Sequence, residues 1–296
     1  MEKARKILIL TADAGFGHRS AALAVKAALE ERYGPRVSVA LENPLDDKRA
    51  PAFLRDSQQD YDRIVRAAPE LYKLGYEVSD EALPSAIMES ALGVLLLEAI
   101  RSMIKQHRPD VILVTYPMYH AALAAYTASP RHDVPFYTVV TDLVSVHRMW
   151  FNNRAAGCLV PTSIVRSLAL ENGISEEKIT LTGIPVRPEI ARPPADRAAL
   201  RASLGLHPDL PTFLAVGSRR VQSLVSAARV LNHFGIPLQL IAVAGKDPDL
   251  YASLQQMEWH IPVKLLEFTD SMPALMQAAD AIICKAGGLI VTESLA

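Results

Sequence analysis

Two short stretches hold the residues best suited to chemistry. Near the start, Gly15-Phe16-Gly17 runs directly into His18. An imidazole beside a glycine loop can take up a proton near neutral pH, which suits a general base. Its ordinary alternative is a helix-start residue making one local hydrogen bond. At the other end, Lys285-Ala286-Gly287-Gly288 turns the chain between an apolar run at 281–284 and a helix-forming run at 289–296. Glycine has no Cβ, so such a turn lets backbone N–H groups approach an anion at the positive end of the following helix. Glu293 falls about one turn into that helix, where a carboxylate can accept hydrogen bonds from sugar hydroxyls. An ordinary strand-to-helix turn accounts for the glycine pair equally well.

Three further groups sit at the ends of apolar runs. Asp142, in Thr141-Asp142-Leu143, is a rival base or a turn cap. His147 and Trp150 follow it. An indole face stacks on a sugar ring or lies in a lipid interface, but a Trp between Met149 and Phe151 also reads as core. Gly217-Ser218-Arg219-Arg220 offers two guanidinium groups that can clamp a diphosphate, or a solvated pair at a helix start. Gly245-Lys246 follows another apolar run in the same way.

The elements that position these residues alternate strand and helix. Residues 6–10 read as a buried strand, 11–19 as a loop and 20–33 as a helix with Ala22, Val25 and Leu29 on one face. A second strand at 37–41 makes the opening β-loop-α-β, which predicts a parallel sheet with ligands at its carboxyl edge. Residues 43–79 form a polar, proline-punctuated insertion with Arg49, Arg55, Arg63 and Arg66 among aromatic residues. A long helix at 84–105, strands at 111–114, 136–140 and 157–160, and a helix at 163–171 follow. Four prolines at 185, 188, 193 and 194 mark a linker. We therefore expect domains at 1–183 and 195–296, joined by 184–194. Beyond the linker the strand–helix alternation restarts, which predicts two Rossmann-like α/β domains facing each other across a cleft. The last helix has no cap, glycine or closing strand after it, so the second domain is expected to be incomplete.

Composition narrows the function classes. Half of the 296 residues are apolar and 21% are charged, with a formal net charge of -1. That balance gives no bias toward polyanions, so nucleic acid is not an expected partner. Cys158 and Cys284 lie in separate apolar runs and read as buried free thiols. The eight histidines show no metal-ligand spacing, so no metal site is assigned.

Four motifs together carry a resemblance: TADAGFGHRSAA after the first strand, VTDLVSVHRMW at 140–150, TGIPVRP at 182–188 and CKAGGLIVTESLA at 284–296. In order and spacing they resemble the monogalactosyldiacylglycerol synthase and processive diacylglycerol glucosyltransferase family, which are GT-B glycosyltransferases. The resemblance implies an inverting transfer of a hexose from a UDP-sugar to a diacylglycerol-type lipid. UDP-glucose or UDP-galactose is then the donor, with no tightly bound cofactor and the need for a divalent metal left open. It implies that His18 or Asp142 is the base, and that Gly15, Gly17, His147 and Trp150 lie on the acceptor side. It further implies that Gly217, Ser218, Arg219, Lys285, Gly287, Gly288 and Thr292 lie near the donor diphosphate, with Glu293 on the ribose. The implied partner surface is an anionic membrane, and the expected location is cytoplasmic, peripheral on the inner face of the cell membrane. Two alternatives are a GT-B enzyme with a non-lipid acceptor and a non-catalytic binder of UDP-sugar or lipid.

Overall fold

A computed structural model describes residues 3–13, 16–55, 80, 82–129, 134–192, 194–218, 221 and 223–296. The chain divides into two compact units, Met1–Arg187 and Pro188–Ala296.

The first unit opens with strand β1 (Arg5–Leu10), helix α1 (Phe16–Tyr33) and β2 (Val37–Glu42). It continues with α2 (Ala82–His107), β3 (Val111–Val114), α3 (His120–Thr127) and β4 (Phe136–Val139). Strand β5 (Gly157–Val160), α4 (Ser163–Glu171) and β6 (Ile179–Leu181) complete it. The six strands form one parallel sheet in the order β2-β1-β3-β4-β5-β6. A parallel sheet needs both faces covered, and β1 shows how the alternation of side chains does this. Ile9 packs with Ala22, Val25 and Leu29 of α1. Its neighbours Leu8 and Leu10 point the other way, into a core with Leu92, Leu96 and Ile100 of α2.

The second unit contains α5 (Arg197–Ser203), β7 (Thr212–Val216), α6 (Leu224–Asn232), β8 (Gln239–Val243) and α7 (Pro248–Gln255). It ends with β9 (Val263–Leu266), α8 (Met272–Ala278), β10 (Ala281–Ile283) and α9 (Gly288–Leu295). Its parallel sheet has the order β10-β7-β8-β9. Asp280 pins the amino ends of β7 and β10 to α5. Its carboxylate accepts from the Thr212 N–H at 2.7 Å and pairs with Arg197 at 2.9 Å and Arg201 at 2.7 Å.

Three local differences from the sequence reading affect the site. Helix α1 starts at Phe16 rather than at residue 20, so Gly17 and His18 belong to its first turn and the preceding loop is shorter. Helix α3 was passed over because HAALAAYT is nearly uniformly apolar and shows no one-sided pattern. Residues 179–181 form a sixth strand in a stretch to which the sequence reading assigned no element.

Candidate active site at two switch points

In each sheet the chain steps outward on one side of its first strand and returns to build on the other. The reversal lies between β1 and β3 in the first unit and between β7 and β10 in the second. The helices that leave the carboxyl ends of two such strands diverge to opposite faces, and the gap between them is where α/β sheets hold ligands.

At the first reversal, three strand ends converge on His18. Thr141 follows β4, and its Oγ1 lies 2.9 Å from His18 Nδ1. Tyr116 follows β3 and meets the His18 ring edge-on, with centroids 4.9 Å apart at 69°. The Trp150 ring lies 5.9 Å away, tilted by 42°. Tyr116 rests in turn on Tyr119, at 5.4 Å. The Tyr119 hydroxyl is shared between the Thr11 carbonyl at 3.0 Å and Asn43 Oδ1 at 2.9 Å, which ties the end of β1 to this wall. Burial, reinforced by Tyr116 and Asp46, holds that phenol well above its ordinary pKa, so it stays a neutral donor.

Asp142 and Trp150 form a pair. The indole Nε1–H donates to Asp142 Oδ2 at 2.9 Å. Burial raises the Asp142 pKa, and the indole bond opposes that rise without cancelling it. Trp150 is only 1% exposed, so its polar edge serves Asp142 while its ring packs in the core. Behind it lies His120, 6.2 Å away. His120 Nδ1–H donates to the Pro117 carbonyl and Nε2 accepts from Thr138 Oγ1, both at 2.8 Å. Burial pushes its pKa down to about 4, against the Pro117 bond, so this ring is neutral.

His147 is buried and caps the turn Arg148–Trp150, its Nδ1 accepting from the Met149 N–H at 3.2 Å. Asp80 Oδ1 accepts from the Arg148 N–H at 2.6 Å and stands 3.6 Å from His147 Nδ1. This fastens the residue that precedes α2 to the segment holding Trp150. Gly15 lies outside the described residues, as does most of the basic insertion.

At the second reversal, Gly217 and Ser218 follow β7, while Cys284 to Gly287 follow β10. The two glycine sites differ in kind. A Cβ on Gly217 would meet Leu250 Cδ2 at 2.5 Å and Leu224 Cδ2 at 2.8 Å, so packing of α6 and α7 requires glycine there. Gly245 has φ +68, and a Cβ on it would strike the Gly217 carbonyl oxygen at 2.2 Å. Gly287 has φ -88, and the nearest atom to a Cβ would be Ile290 Cγ2 at 3.8 Å. Neither conformation nor packing demands glycine at 287, which leaves open space before the first turn of α9. A recess of about 200 Å³ opens here, lined by Val221, Ser223, Leu224, Ala227, Ile283, Cys284 and Lys285. Thr292 donates its hydroxyl back to the Gly288 carbonyl at 2.8 Å, and Glu293 is buried in the same helix. Lys246 Nζ stands 4.2 Å from the centre of the Phe268 ring at the same edge of the sheet. Arg219 lies outside the described residues.

Both cysteines are free, and burial raises both thiol pKa values, that of Cys158 to about 12. Among the described residues there is no group of metal-ligating side chains and no helix long and apolar enough to cross a membrane. Sequence reasoning missed Thr141, Tyr116, Tyr119 and His120 as parts of the site. Their signal was position: Thr141 follows β4 within two residues, and Tyr116, Tyr119 and His120 lie within six residues of the end of β3.

Residues 18–186, more than half of the chain, match the family described as monogalactosyldiacylglycerol (MGDG) synthase. The chain belongs to the MGDG synthase family. Residues 212–296 match the glycosyltransferase family 28 C-terminal domain. A probable chloroplastic MGDG synthase from Glycine max is 30% identical over 99% of this chain and 57% of its own length. The probable chloroplastic MGDG synthase 2 from Oryza sativa subsp. japonica is 30% identical over 99% of this chain and 64% of its own length. The chain thus spans less than two thirds of these relatives. Among solved structures, the S. aureus MnaA–UDP co-structure superposes with a TM-score of 0.54 at 15% identity, covering 96% of this chain and 74% of that one. That likeness shows the fold, two Rossmann-like units of the GT-B kind. The relatives overturn one expectation. Both are named chloroplastic, which stands against the expected cytoplasmic location on the inner face of the cell membrane. Strand ends and glycine turns fold the same way in any compartment, so the residues used for the expectation carried no information on location.

Proposed function

We propose that this chain is the sugar-transferring part of an enzyme that moves a hexose from a UDP-sugar to the free hydroxyl of diacylglycerol at a membrane surface, with inversion at the anomeric carbon. The observation that carries the proposal is the convergence of His18, Thr141 and Tyr116 on one switch point, in a chain of the MGDG synthase family. Names of the relatives favour galactose as the sugar and diacylglycerol as the acceptor.

The acceptor chemistry falls to the first unit. His18 takes the hydroxyl proton as that oxygen attacks the anomeric carbon from the face opposite the nucleotide. Asp142 is the weaker candidate for the base, because one of its oxygens is engaged by the Trp150 indole and burial favours its protonated form. Its role is to fix the wall of the site through Trp150. Gly17 in the first turn of α1 and His147 in the segment that holds Trp150 belong to the acceptor side.

Donor chemistry falls to the second unit. The UDP diphosphate lies against Gly287, Gly288 and the positive end of α9, with Lys285 lining the recess and Ser218 contributing from the turn after β7. These groups stabilise the charge that builds on the leaving diphosphate. Glu293 and Thr292 orient the ribose side. On the lipid side, Ile87 and Val94 stand seven residues apart on α2 at 72% and 76% exposure, two apolar side chains on one helix face that can meet a membrane surface.

The test is turnover of UDP-galactose and UDP-glucose, separately, with diacylglycerol in mixed micelles. Galactolipid product supports the proposal. Transfer only to a water-soluble acceptor would support a non-lipid GT-B enzyme, and UDP binding without any transfer would support a binding protein.

A further inference from the structure

His18 can serve as a base only through a nitrogen that carries a lone pair. A neutral imidazole bears one proton, so the group that holds one nitrogen decides what the other can do. Thr141 Oγ1 lies 2.9 Å from His18 Nδ1. A hydroxyl can meet Nδ1 in two ways, with opposite consequences. If it donates, Nδ1 is the acceptor and Nε2 carries the hydrogen. If it accepts, Nδ1 carries the hydrogen and Nε2 the lone pair.

We propose that Thr141 is a positioning residue that accepts from Nδ1–H and so holds His18 in the tautomer whose Nε2 is the base. This rests on the transferase reading above. The placement of both residues supports it. Thr141 is buried just past the carboxyl end of β4, where Val140 N–H still bonds the Leu159 carbonyl at 2.9 Å, so the sheet holds the backbone that carries its hydroxyl. His18 is fixed by the first turn of α1. Two regular elements therefore set the Nδ1–Oγ1 distance. Tyr116 and Trp150 beside the ring restrict its rotation, which makes the choice of edge persistent.

The chemistry favours the accepting hydroxyl. After His18 takes a proton at Nε2, both nitrogens are donors. An Nδ1–H bond to Oγ1 survives that change without any group turning, whereas in the other tautomer the only lone pair is the one on Nδ1, already occupied by the hydroxyl, which would have to turn away before a proton could be taken there. A nearby contrast shows what an obligate acceptor does. His120 places Nδ1–H on the Pro117 carbonyl, which forces Thr138 to donate to Nε2 and leaves that ring no free lone pair for chemistry. Thr138 and Thr141, three residues apart at the end of one strand, thus handle two histidines in opposite senses.

The test uses Thr141→Val, which keeps the shape and removes the hydroxyl, and Thr141→Ser, which keeps the hydroxyl. Histidine nitrogen NMR of the unsubstituted chain is expected to show His18 protonated at Nδ1 and bare at Nε2. Thr141→Ser should keep that pattern and Thr141→Val should lose it. In the transfer assay, kcat should fall on the order of 10²-fold in Thr141→Val and only a few-fold in Thr141→Ser, with KM for UDP-galactose unchanged. A wild-type spectrum with the proton on Nε2 overturns the proposal, as does a Thr141→Val protein with unaltered tautomer and kcat. If His18→Ala leaves transfer intact, the base reading itself fails, and the spectrum still decides what Thr141 does.

Discussion

Trp150→Phe should expose how the site holds its buried carboxyl. The substitution deletes the indole N–H that meets Asp142 Oδ2 at 2.9 Å and keeps most of the ring. Two losses follow. One is a packing loss where the indole packs beside His120 and in the core with Val140 and Val160. The other is the hydrogen bond, which for a charged acceptor contributes about 1.5–3 kcal/mol. A double-mutant cycle with Asp142→Asn separates them, because packing is common to both backgrounds while the charge-assisted part is not. The coupling at neutral pH should be about 1.5 kcal/mol or more. The sign of its pH dependence is fixed. The Asp142 pKa is raised in the folded chain, so ionising this carboxyl costs stability as pH rises through the folded value. The indole bond offsets part of that cost, so the coupling should grow as pH rises above the ordinary aspartate value of about 4. Urea unfolding of the four proteins across that range is the assay. A coupling under about 0.5 kcal/mol at neutral pH, or one that shrinks as pH rises, would refute the reasoning.

Glycine substitutions should separate packing from ligand contact in the second unit. Gly217→Ala drives a Cβ into Leu250 and Leu224 and should lower stability by about 1–3 kcal/mol in thermal unfolding. Gly287→Ala has room, so it should leave stability within about 0.5 kcal/mol while weakening UDP binding by calorimetry. His120 gives a pH prediction of the opposite kind to Asp142. Its folded pKa is depressed to about 4, so between the ordinary histidine value and about pH 4 the unfolded chain binds the extra proton. Stability of the first unit should therefore fall as pH drops through that window, by a few kcal/mol at about pH 4, and His120→Gln should flatten this slope.

Much of the fold was legible because parallel strands buried on both faces read as plain apolar runs. The runs at 6–10, 111–114 and 136–140 each coincide with a strand to within a residue. Helix α3 was not legible, since a short helix of alanine, leucine and tyrosine carries no periodic contrast. His18 stood out by type and by the glycines before it, but its partners did not. Thr141 and Tyr116 are common residues whose meaning comes from standing at the ends of two strands that are neighbours in space and about 25 residues apart in sequence. Trp150 was visible as an unusual residue, yet only the packing shows that its indole N–H serves Asp142. Likewise, Gly217 and Gly287 look alike in sequence, and only their neighbours show that one is a packing glycine and the other leaves open space.

The most direct test of the central claim is the transfer rate of His18→Ala set against its affinity for UDP. The account predicts that galactose transfer from UDP-galactose to diacylglycerol falls by about 10²- to 10⁴-fold, while UDP binding to the second unit is unchanged. A His18→Ala protein that transfers galactose at the rate of the unsubstituted chain would contradict it.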